Sequence, residues 1–405
     1  MQATAEQRRV RVSIGFINWA HALDHYVMLI FPTVVIGLQS VYGLSYAELI
    51  ALGTASFVAF GAFSLPAGWL GDRWSRRNML AVFYAGCALS LTAAGCAPDP
   101  TFLAAALALL GTFAAIYHPV GTAMLIEQAT VRGRSMAFNG VCGNLGVSLA
   151  AAVTAALAAA FGWRAAFLVP AAICAATAAA YPLLVPDERR KATKRATQPD
   201  VPLAATLAAT VFGLFIVIAL TAGVVFHIAT VALPKIVDER AGMGVSLLLV
   251  GGITTLIFMC GALAQLAVGR LVERVPLHLL FAAVGFLQFA GIVWAAHAGG
   301  AFLLLALALT MAAIYAQVTV NDLVIARYTA DAWRGRIYAV RYFLTFLASG
   351  AAVSLIAVLY GRGGFDLVLG TSAVLALGCV VATAAMALLV NGIEKERADA
   401  VAPAE

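Results

Sequence analysis

The sequence predicts an all-α integral membrane protein with twelve transmembrane helices in two pseudo-symmetric six-helix bundles. Hydrophobic residues make up 63% of the 405 residues and charged residues only 11%, whereas about a quarter of the residues of a soluble domain are charged. A charged turn at 68–77 lies between two long apolar runs, and a weaker version returns at 269–274 in the second half. Together these observations exclude a soluble globular protein.

Apolar stretches long enough to cross a membrane follow one another along almost the whole chain. A spanning helix needs about 20 mostly apolar residues. The first stretch follows a short basic segment, and its length favours a retained helix over a cleaved signal peptide. The twelve predicted windows are 12–38, 46–70, 78–96, 101–127, 135–160, 164–185, 204–233, 244–268, 277–297, 299–325, 337–360 and 365–391.

The Lys and Arg residues gather on one side of the predicted membrane. Most of the 25 lie at the chain ends and in the loops that follow every second helix. Because positive loops stay in the cytoplasm, we expect both termini to be cytoplasmic, in a bacterial-type inner membrane. The net charge of +6 then reflects topology, and no basic soluble face for nucleic acid is predicted. The six scattered cysteines lack CxxC spacing and are interpreted as packing residues.

A polar, highly charged segment at 186–202 divides the chain into two related halves. We interpret it as a cytoplasmic linker between an N-terminal bundle at 1–185 and a C-terminal bundle at 203–405, which ends in a short cytoplasmic tail. Features recur about 200 residues apart, as internal repeats do in many transporters. The repeats pair His25 with His227, Asp72-Arg73 with Glu273-Arg274, 114–117 with 312–315, and 132–134 with 334–336.

The charged turn at 68–77 resembles the loop 2–3 signature of the major facilitator superfamily, Gly-x-x-x-Asp-Arg-x-Gly-Arg-Arg, with Ser75 at the second glycine. The resemblance implies twelve helices that alternate between inward-open and outward-open states. Asp72 is placed to face a helix N-terminus, where an anion is favoured, and the arginines are placed to reach carboxylates or carbonyls. The alternative is a basic loop that only sets topology. The predicted conformational gate comprises Gly68, Gly71, Asp72, Arg73, Arg76, Arg77, Glu127, Gly269, Glu273 and Arg274.

Three short segments resemble the fosmidomycin-resistance-like exporter branch of that superfamily. They are 21–25, with Pro32 downstream, 113–119 and 143–146. That branch reads His-x-x-Asn-Asp in helix 1, so the acid at Asp24 is displaced by one residue. Leu107 stands where many drug antiporters of the superfamily carry an arginine. The resemblance therefore implies export without the usual arginine scheme.

Ionisable residues at membrane depth are the predicted functional groups. An ionisable group at the bilayer centre costs about 2.5–3.5 kcal/mol on insertion scales, so it should face a cavity or a partner. Helical spacing places Asn18, His21 and His25 on one stripe with Asp24 at its edge. We predict proton coupling by Asp24, His21, His25 and His118. The alternative for each is a polar contact that only locks helix packing.

The predicted substrate contacts lie on helices 4, 5, 7, 10 and 11. Arg341 is the candidate for holding an anionic group, since a guanidinium grips a carboxylate or phosphonate through two bonds. Two alternatives stay open: Arg341 extends to the membrane surface, or it pairs with Asp322. The full predicted set is Tyr117, Asn139, His227, Tyr315, Gln317, Asn321, Asp322 and Arg341.

These residues favour a secondary active transporter and not an enzyme. The leading hypothesis is proton-coupled export of a small polar or anionic organic compound or drug by a monomer. Proton motive force would supply the energy, so no cofactor is expected. Because the sequence has no HExxH-like spacing, no metal site is predicted. The alternative is proton-coupled uptake of an organic acid, sugar derivative or metal chelate. A membrane receptor or intramembrane enzyme is a distant third hypothesis.

Overall fold

Fourteen helices account for nearly all of the chain that the structure describes. The computed structural model describes residues 2–187, 205–241, 244, 246–328 and 331–401, with no account of the side chains of 2–5, 132–133, 205–209, 325–328, 331–339, 341–342, 390 and 393–401. The helices are α1 (Gln2–Met28), α2 (Ile30–Tyr42), α3 (Tyr46–Leu52), α4 (Thr54–Arg73), α5 (Arg76–Gly95), α6 (Pro100–Ala114), α7 (Tyr117–Gln128), α8 (Arg132–Phe161), α9 (Ala165–Leu184), α10 (Ala205–Arg240), α11 (Leu247–Leu271), α12 (Leu277–His297), α13 (Gly300–Tyr328) and α14 (Asp331–Val401).

Eleven helical segments of the described residues are long and apolar enough to cross a membrane. The last, Phe343–Leu389, has 47 residues, about twice what one crossing needs. Gly363 and Gly364 break it with non-helical backbone angles, and Gly364 has a positive φ of 59°, which glycine adopts without a steric penalty. The predicted twelve crossings are therefore confirmed, with helices 11 and 12 joined at this glycine pair.

Three of the crossings consist of two helices each. Proline cannot donate a backbone hydrogen bond, and its ring crowds the carbonyl four residues earlier. Accordingly, α1 gives way to α2 at Leu29, three residues before Pro32, and α6 gives way to α7 at 115–116, just before Pro119. The third break, at Gly53 between α3 and α4, involves no proline.

Helix α10 differs from its predicted window. It continues through Pro234 to Arg240, seven residues beyond the predicted end at 233. Lys235 and Arg240, which lie beyond the predicted window, are in its last two turns. Lys235 contacts Asp238 at 2.6 Å, one turn away, and Arg240 contacts Asp366 at 2.9 Å. These pairs satisfy charged groups at the helix end.

Glycines allow the helices to approach each other closely. Lipid tails are as apolar as leucine, so helices in membranes associate through close packing of small residues. A Cβ added at Gly111 would lie 1.9 Å from the carbonyl oxygen of Ser56, and one at Gly146 would lie 2.1 Å from that of Ala22. The first contact joins α6 to α4 and the second joins α8 to α1. Both pairs of helices belong to the first half.

The most extensive packing between the halves is that of α4 along α14 and of α8 along α11. Asn144 on α8 donates its side-chain amide to Gln265 on α11 at 2.5 Å. The ring of Phe60 on α4 lies 4.8 Å from that of Phe346 on α14. The linker at 186–202 lies outside the described residues from 188 onward, so the predicted domain boundaries stay a prediction.

Candidate functional site

Three histidines from two helices converge inside the first half. One ring nitrogen of each of His21, His25 and His118 lies within 4.8 Å of the corresponding atoms of the other two. His25 Nε2 and His21 Nε2 lie 3.2 Å apart. His21 and His25 are one turn apart on α1, while His118 stands in the first turn of α7, after the break before Pro119. We call these three residues the histidine cluster.

A buried acid adjoins the cluster. Asp24 is 1% exposed, and its Oδ2 lies 3.3 Å from Nε2 of His118, an ion-pair distance when the imidazole is protonated. The contact joins α1 to α7 within the bundle. Asp24, at the edge of the predicted helical stripe, therefore contacts a histidine of another helix, His118.

Polar side chains fix the orientation of His21. Nδ1 of His21 lies 2.7 Å from the carbonyl oxygen of Asn139 on α8. The Asn139 side chain accepts a hydrogen bond from the Tyr117 hydroxyl at 3.0 Å and donates one to Asn18 Oδ1 at 2.9 Å. The Tyr117 ring stacks on His21 with centroids 4.8 Å apart. Four residues, His21, Asn139, Tyr117 and Asn18, thus form one connected network.

The cluster lies at the junction of the two halves. His118 contacts Phe346 of α14 with ring centroids 5.1 Å apart, and Phe60 of α4 at 6.1 Å. His227 of α10 faces Phe57 of α4 with centroids 6.4 Å apart. Motion of the second half against the first would therefore change the surroundings of His118 directly.

Gly143 provides space for the His21 ring. A Cβ added there would lie 2.6 Å from both Cε1 and Nε2 of His21. Gly143 belongs to one of the segments that resemble an exporter branch, and the sequence alone indicated no role for it. Its position shows that this part of α8 forms a wall of the histidine cluster.

The predicted substrate contacts of the second half occupy varied surroundings. Gln317 is buried on α13 and donates to Cys379 Sγ of α14 at 3.0 Å. Tyr315 is buried, with its ring 6.0 Å from that of Phe226. Asn321 is buried on α13, and Asp322 beside it is half-buried. The Arg341 side chain lies outside the described residues.

The predicted gate forms a polar cluster at one face of the bundle, which we call the motif face because the turn Trp74–Ser75 lies there. Arg76 donates to Asp72 at 2.7 and 3.0 Å and to Glu127 of α7 at 3.0 Å. Arg77 donates to the carbonyl oxygen of Val185 at 2.7 Å. The arginines therefore reach carboxylates and a carbonyl, as expected.

Two details of the gate differ from expectation. The N-terminal cap of α5 is Ser75. Its hydroxyl accepts a hydrogen bond from the backbone N–H of Asn78 at 3.1 Å and donates one to the Asp187 carboxylate at 2.6 Å. Asp72, which was expected to face that helix end, instead accepts from Arg76, because the guanidinium one turn away reaches it first. A Cβ at Gly68 would lie 3.1 Å from Pro119, and one at Gly71 would lie 3.0 Å from Val120. These glycines therefore allow α4 to pack closely against α7.

The other gate residues have simpler settings. Arg73 lies 4.7 Å over the Trp69 ring, a cation–π distance. Glu273 and Arg274 occupy the turn between α11 and α12. A Cβ at Gly269 would meet no described atom within 4 Å, so the second copy of the motif lacks the close glycine packing of the first. Arg76 and Arg77 also line a cavity of about 370 Å³ at the motif face.

At the face opposite the motif face, aromatic residues of the two halves meet. The Tyr46 ring of α3 lies 4.8 Å from Tyr360 of α14 and 6.1 Å from Phe365. The Tyr360 hydroxyl donates to Glu239 of α10 at 2.6 Å. A Cβ built on Gly361 would lie 3.4 Å from that of Ala47. The described residues therefore bring the halves into contact at this face, which no sequence pattern predicted.

The family model of the Major Facilitator Superfamily matches residues 14–353. The chain belongs to this superfamily of transporters. Solved transporter structures share the fold of this chain. A bacterial homologue of the human lysosomal transporter Spinster, inward-facing and occupied, matches with a TM-score of 0.74 and 13% identity over 93% of each chain. A D-xylose–proton symporter matches with a TM-score of 0.72 and 17% identity, over 93% of this chain and 95% of its own.

Two curated relatives resemble shorter parts of the chain. The multidrug efflux pump LfrA of Mycolicibacterium smegmatis is 33% identical over 135 residues, which are 33% of this chain and 27% of LfrA. The puromycin resistance protein pur8 of Streptomyces alboniger is 33% identical over 152 residues, 37% of this chain and 30% of pur8. The matches thus span less than a third of either relative's length.

Proposed function

We propose that this transporter exports a small polar or anionic organic compound or drug, drives that export with protons, and works by alternating access in the cytoplasmic (inner) membrane. The observation that carries the proposal is the buried contact between Asp24 and His118, 3.3 Å apart and inside the bundle. An isolated charge at the bilayer centre costs about 2.5–3.5 kcal/mol. A carboxylate and an imidazole that share a proton avoid that cost while keeping a proton to exchange.

The proton is exchanged when the halves move. His118 contacts Phe346 of the second half, so separation of α14 from α7 would admit water to the Asp24–His118 pair. His21 and His25 continue the path along α1. Tyr117 and Asn139 border the same space and would contact substrate, with Arg341 as the proposed partner of an anionic group.

The gate at the motif face would open and close with each cycle. Arg76 forms ion pairs with both Asp72 and Glu127. The Arg76 side chain is 30% exposed, that of Asp72 64% and that of Glu127 22%. Ion pairs exposed to solvent contribute about 0–1 kcal/mol, so this network can break and re-form at little cost. Positive-inside topology would place the motif face in the cytoplasm.

Export is favoured over uptake by the names of the curated relatives, an efflux pump and a puromycin resistance protein. Uptake of an organic acid, sugar derivative or metal chelate is the second candidate, because alternating access is reversible. The D-xylose–proton symporter shares the fold with this chain at 17% identity, which carries no information on direction.

The test uses everted membrane vesicles with an acidic interior and a pH-sensitive dye quenched by the gradient. Phosphonates, organic acids and puromycin are added to vesicles that contain the wild type, Asp24→Asn or the control Asp99→Asn. Asp99 is an exposed acid that caps α6, and asparagine preserves such a cap.

A compound that restores fluorescence with the wild type and with Asp99→Asn, but not with Asp24→Asn, would support the proposal. An equal response with Asp24→Asn would remove Asp24 from the proton path. No response to any compound by correctly inserted protein would refute proton-driven export of the classes tested.

A further inference from the structure

We propose that the histidine cluster is a binding site for a divalent first-row transition metal ion, although the sequence predicted no metal site. Three imidazoles from two helices present one nitrogen each within 4.8 Å of one another. Zn²⁺ binds histidine nitrogens at about 2.0–2.1 Å, so two nitrogens on one tetrahedral ion lie about 3.4 Å apart. His25 Nε2 and His21 Nε2, 3.2 Å apart, already have this spacing.

The sequence around the cluster suits such a site. His21 and His25 are four residues apart on α1, the spacing that places two histidines on one helix face for a metal. The third ligand comes from α7, whose first turn begins at Tyr117 because the helix breaks before Pro119. No metal site was predicted because the sequence lacks the HExxH motif, which supplies two histidines and an acid from one helix. The third ligand, His118, comes instead from a helix distant in sequence.

Outer contacts hold the imidazoles as they are held around bound metals. Histidines that bind metals usually donate their other ring N–H to a carbonyl or carboxylate. The carbonyl oxygen of Asn139 lies 2.7 Å from Nδ1 of His21, which leaves Nε2 of His21 toward the cluster. Asp24 contacts the imidazole of His118 at 3.3 Å. One carbonyl and one carboxylate thus orient two of the three ligands.

The ligand chemistry selects the class of ion. Imidazole nitrogens suit Zn²⁺, Co²⁺, Ni²⁺ and Cu²⁺, whereas Mg²⁺ and Ca²⁺ prefer oxygen ligands. Three protein ligands leave a fourth position for water or an incoming group, unlike the closed four-ligand sites that hold structural zinc. That open position could accept a donor atom of a transported chelating compound.

The test is a Co²⁺ titration of purified full-length protein in detergent, without a polyhistidine tag, followed by visible absorption and competition with Zn²⁺. The variants are His25→Ala and His118→Ala, and the matched control is His297→Ala, an exposed histidine at the end of α12. His25→Gln replaces His25→Ala if the smaller side chain prevents folding.

We expect one Co²⁺ per chain with the absorption of a tetrahedral site, unchanged in His297→Ala and at least tenfold weaker in each cluster variant. Equal Co²⁺ affinity in the wild type and in the cluster variants, or loss of binding in His297→Ala alone, would overturn the proposal. Binding is measured without a proton gradient or an organic substrate. Its failure would therefore leave the export proposal standing, and failure of the vesicle assay would leave the metal site standing.

Discussion

Replacing Gly146 with alanine should destabilise the first half and distort the histidine cluster. The added Cβ would lie 2.1 Å from the carbonyl oxygen of Ala22, whereas carbon and carbonyl oxygen atoms in contact lie about 3.3–3.6 Å apart. The obstacle is backbone, which cannot rotate away, so α8 must move from α1 by more than an ångström. Overpacking of this kind costs about 1–3 kcal/mol.

That displacement would also reach the site. Asn139 lies two turns before Gly146 on α8 and contacts His21 at 2.7 Å and Asn18 at 2.9 Å. A shift of an ångström lengthens both beyond the hydrogen-bonding range. We therefore expect a lower melting temperature and impaired transport from one methyl group.

The assay is thermal unfolding of purified protein in detergent, with Gly140→Ala as the control. Both substitutions add the same methyl group to α8 and gain up to about 1 kcal/mol of helix propensity. A Cβ at Gly140 would meet no described atom within 4 Å, so the difference in melting temperature isolates the steric cost. A Gly146→Ala protein that melts at or above Gly140→Ala would refute the close approach of α1 and α8.

Three further substitutions probe the site, the opposite face and the gate. Gly143→Ala would put a Cβ 2.6 Å from the His21 ring; because a side chain can rotate away, transport in vesicles should fall at least tenfold while the melting temperature changes less than in Gly146→Ala. With the native cysteines replaced, Ala47→Cys combined with Gly361→Cys should form a disulfide on treatment with diamide, since the Cβ atoms would lie 3.4 Å apart and disulfides need about 3.5–4.5 Å. Transport should stop and return with dithiothreitol, and transport by the cross-linked protein would contradict alternating access. Arg76→Ala should change the free energy of unfolding by less than about 1 kcal/mol yet slow transport, and an unchanged rate would remove this arginine from the gate.

The fold could be predicted closely because lipid imposes one simple requirement. Each crossing needs a long apolar run with its backbone bonded internally, and such runs are visible in a single sequence. The stripe of Asn18, His21 and His25 was predictable for a similar reason, since helical periodicity alone sets it. Pro32 and Pro119 marked two of the three helix breaks, although the break at Gly53 had no such signal.

Contacts between distant helices could not be predicted in this way. The meeting of Phe346 with His118, and of Tyr46 with Tyr360, depends on how two halves are placed, and large apolar residues are common throughout such a chain. The partner of Asp72 was also missed, because local sequence did not distinguish a helix end from an arginine one turn away. Asp24 was identified as an acid at membrane depth, but only the structure supplied His118 as its neighbour.

The most direct test of proton coupling uses purified protein in liposomes and the compound that responds in the vesicle assay. Two fluxes are compared for the wild type and Asp24→Asn: exchange of labelled compound without a gradient, and transport driven by an imposed proton gradient. Our account predicts that Asp24→Asn keeps exchange, because the helices still alternate, and loses gradient-driven transport. Gradient-driven transport by Asp24→Asn at the wild-type rate would contradict the central role of the Asp24–His118 pair.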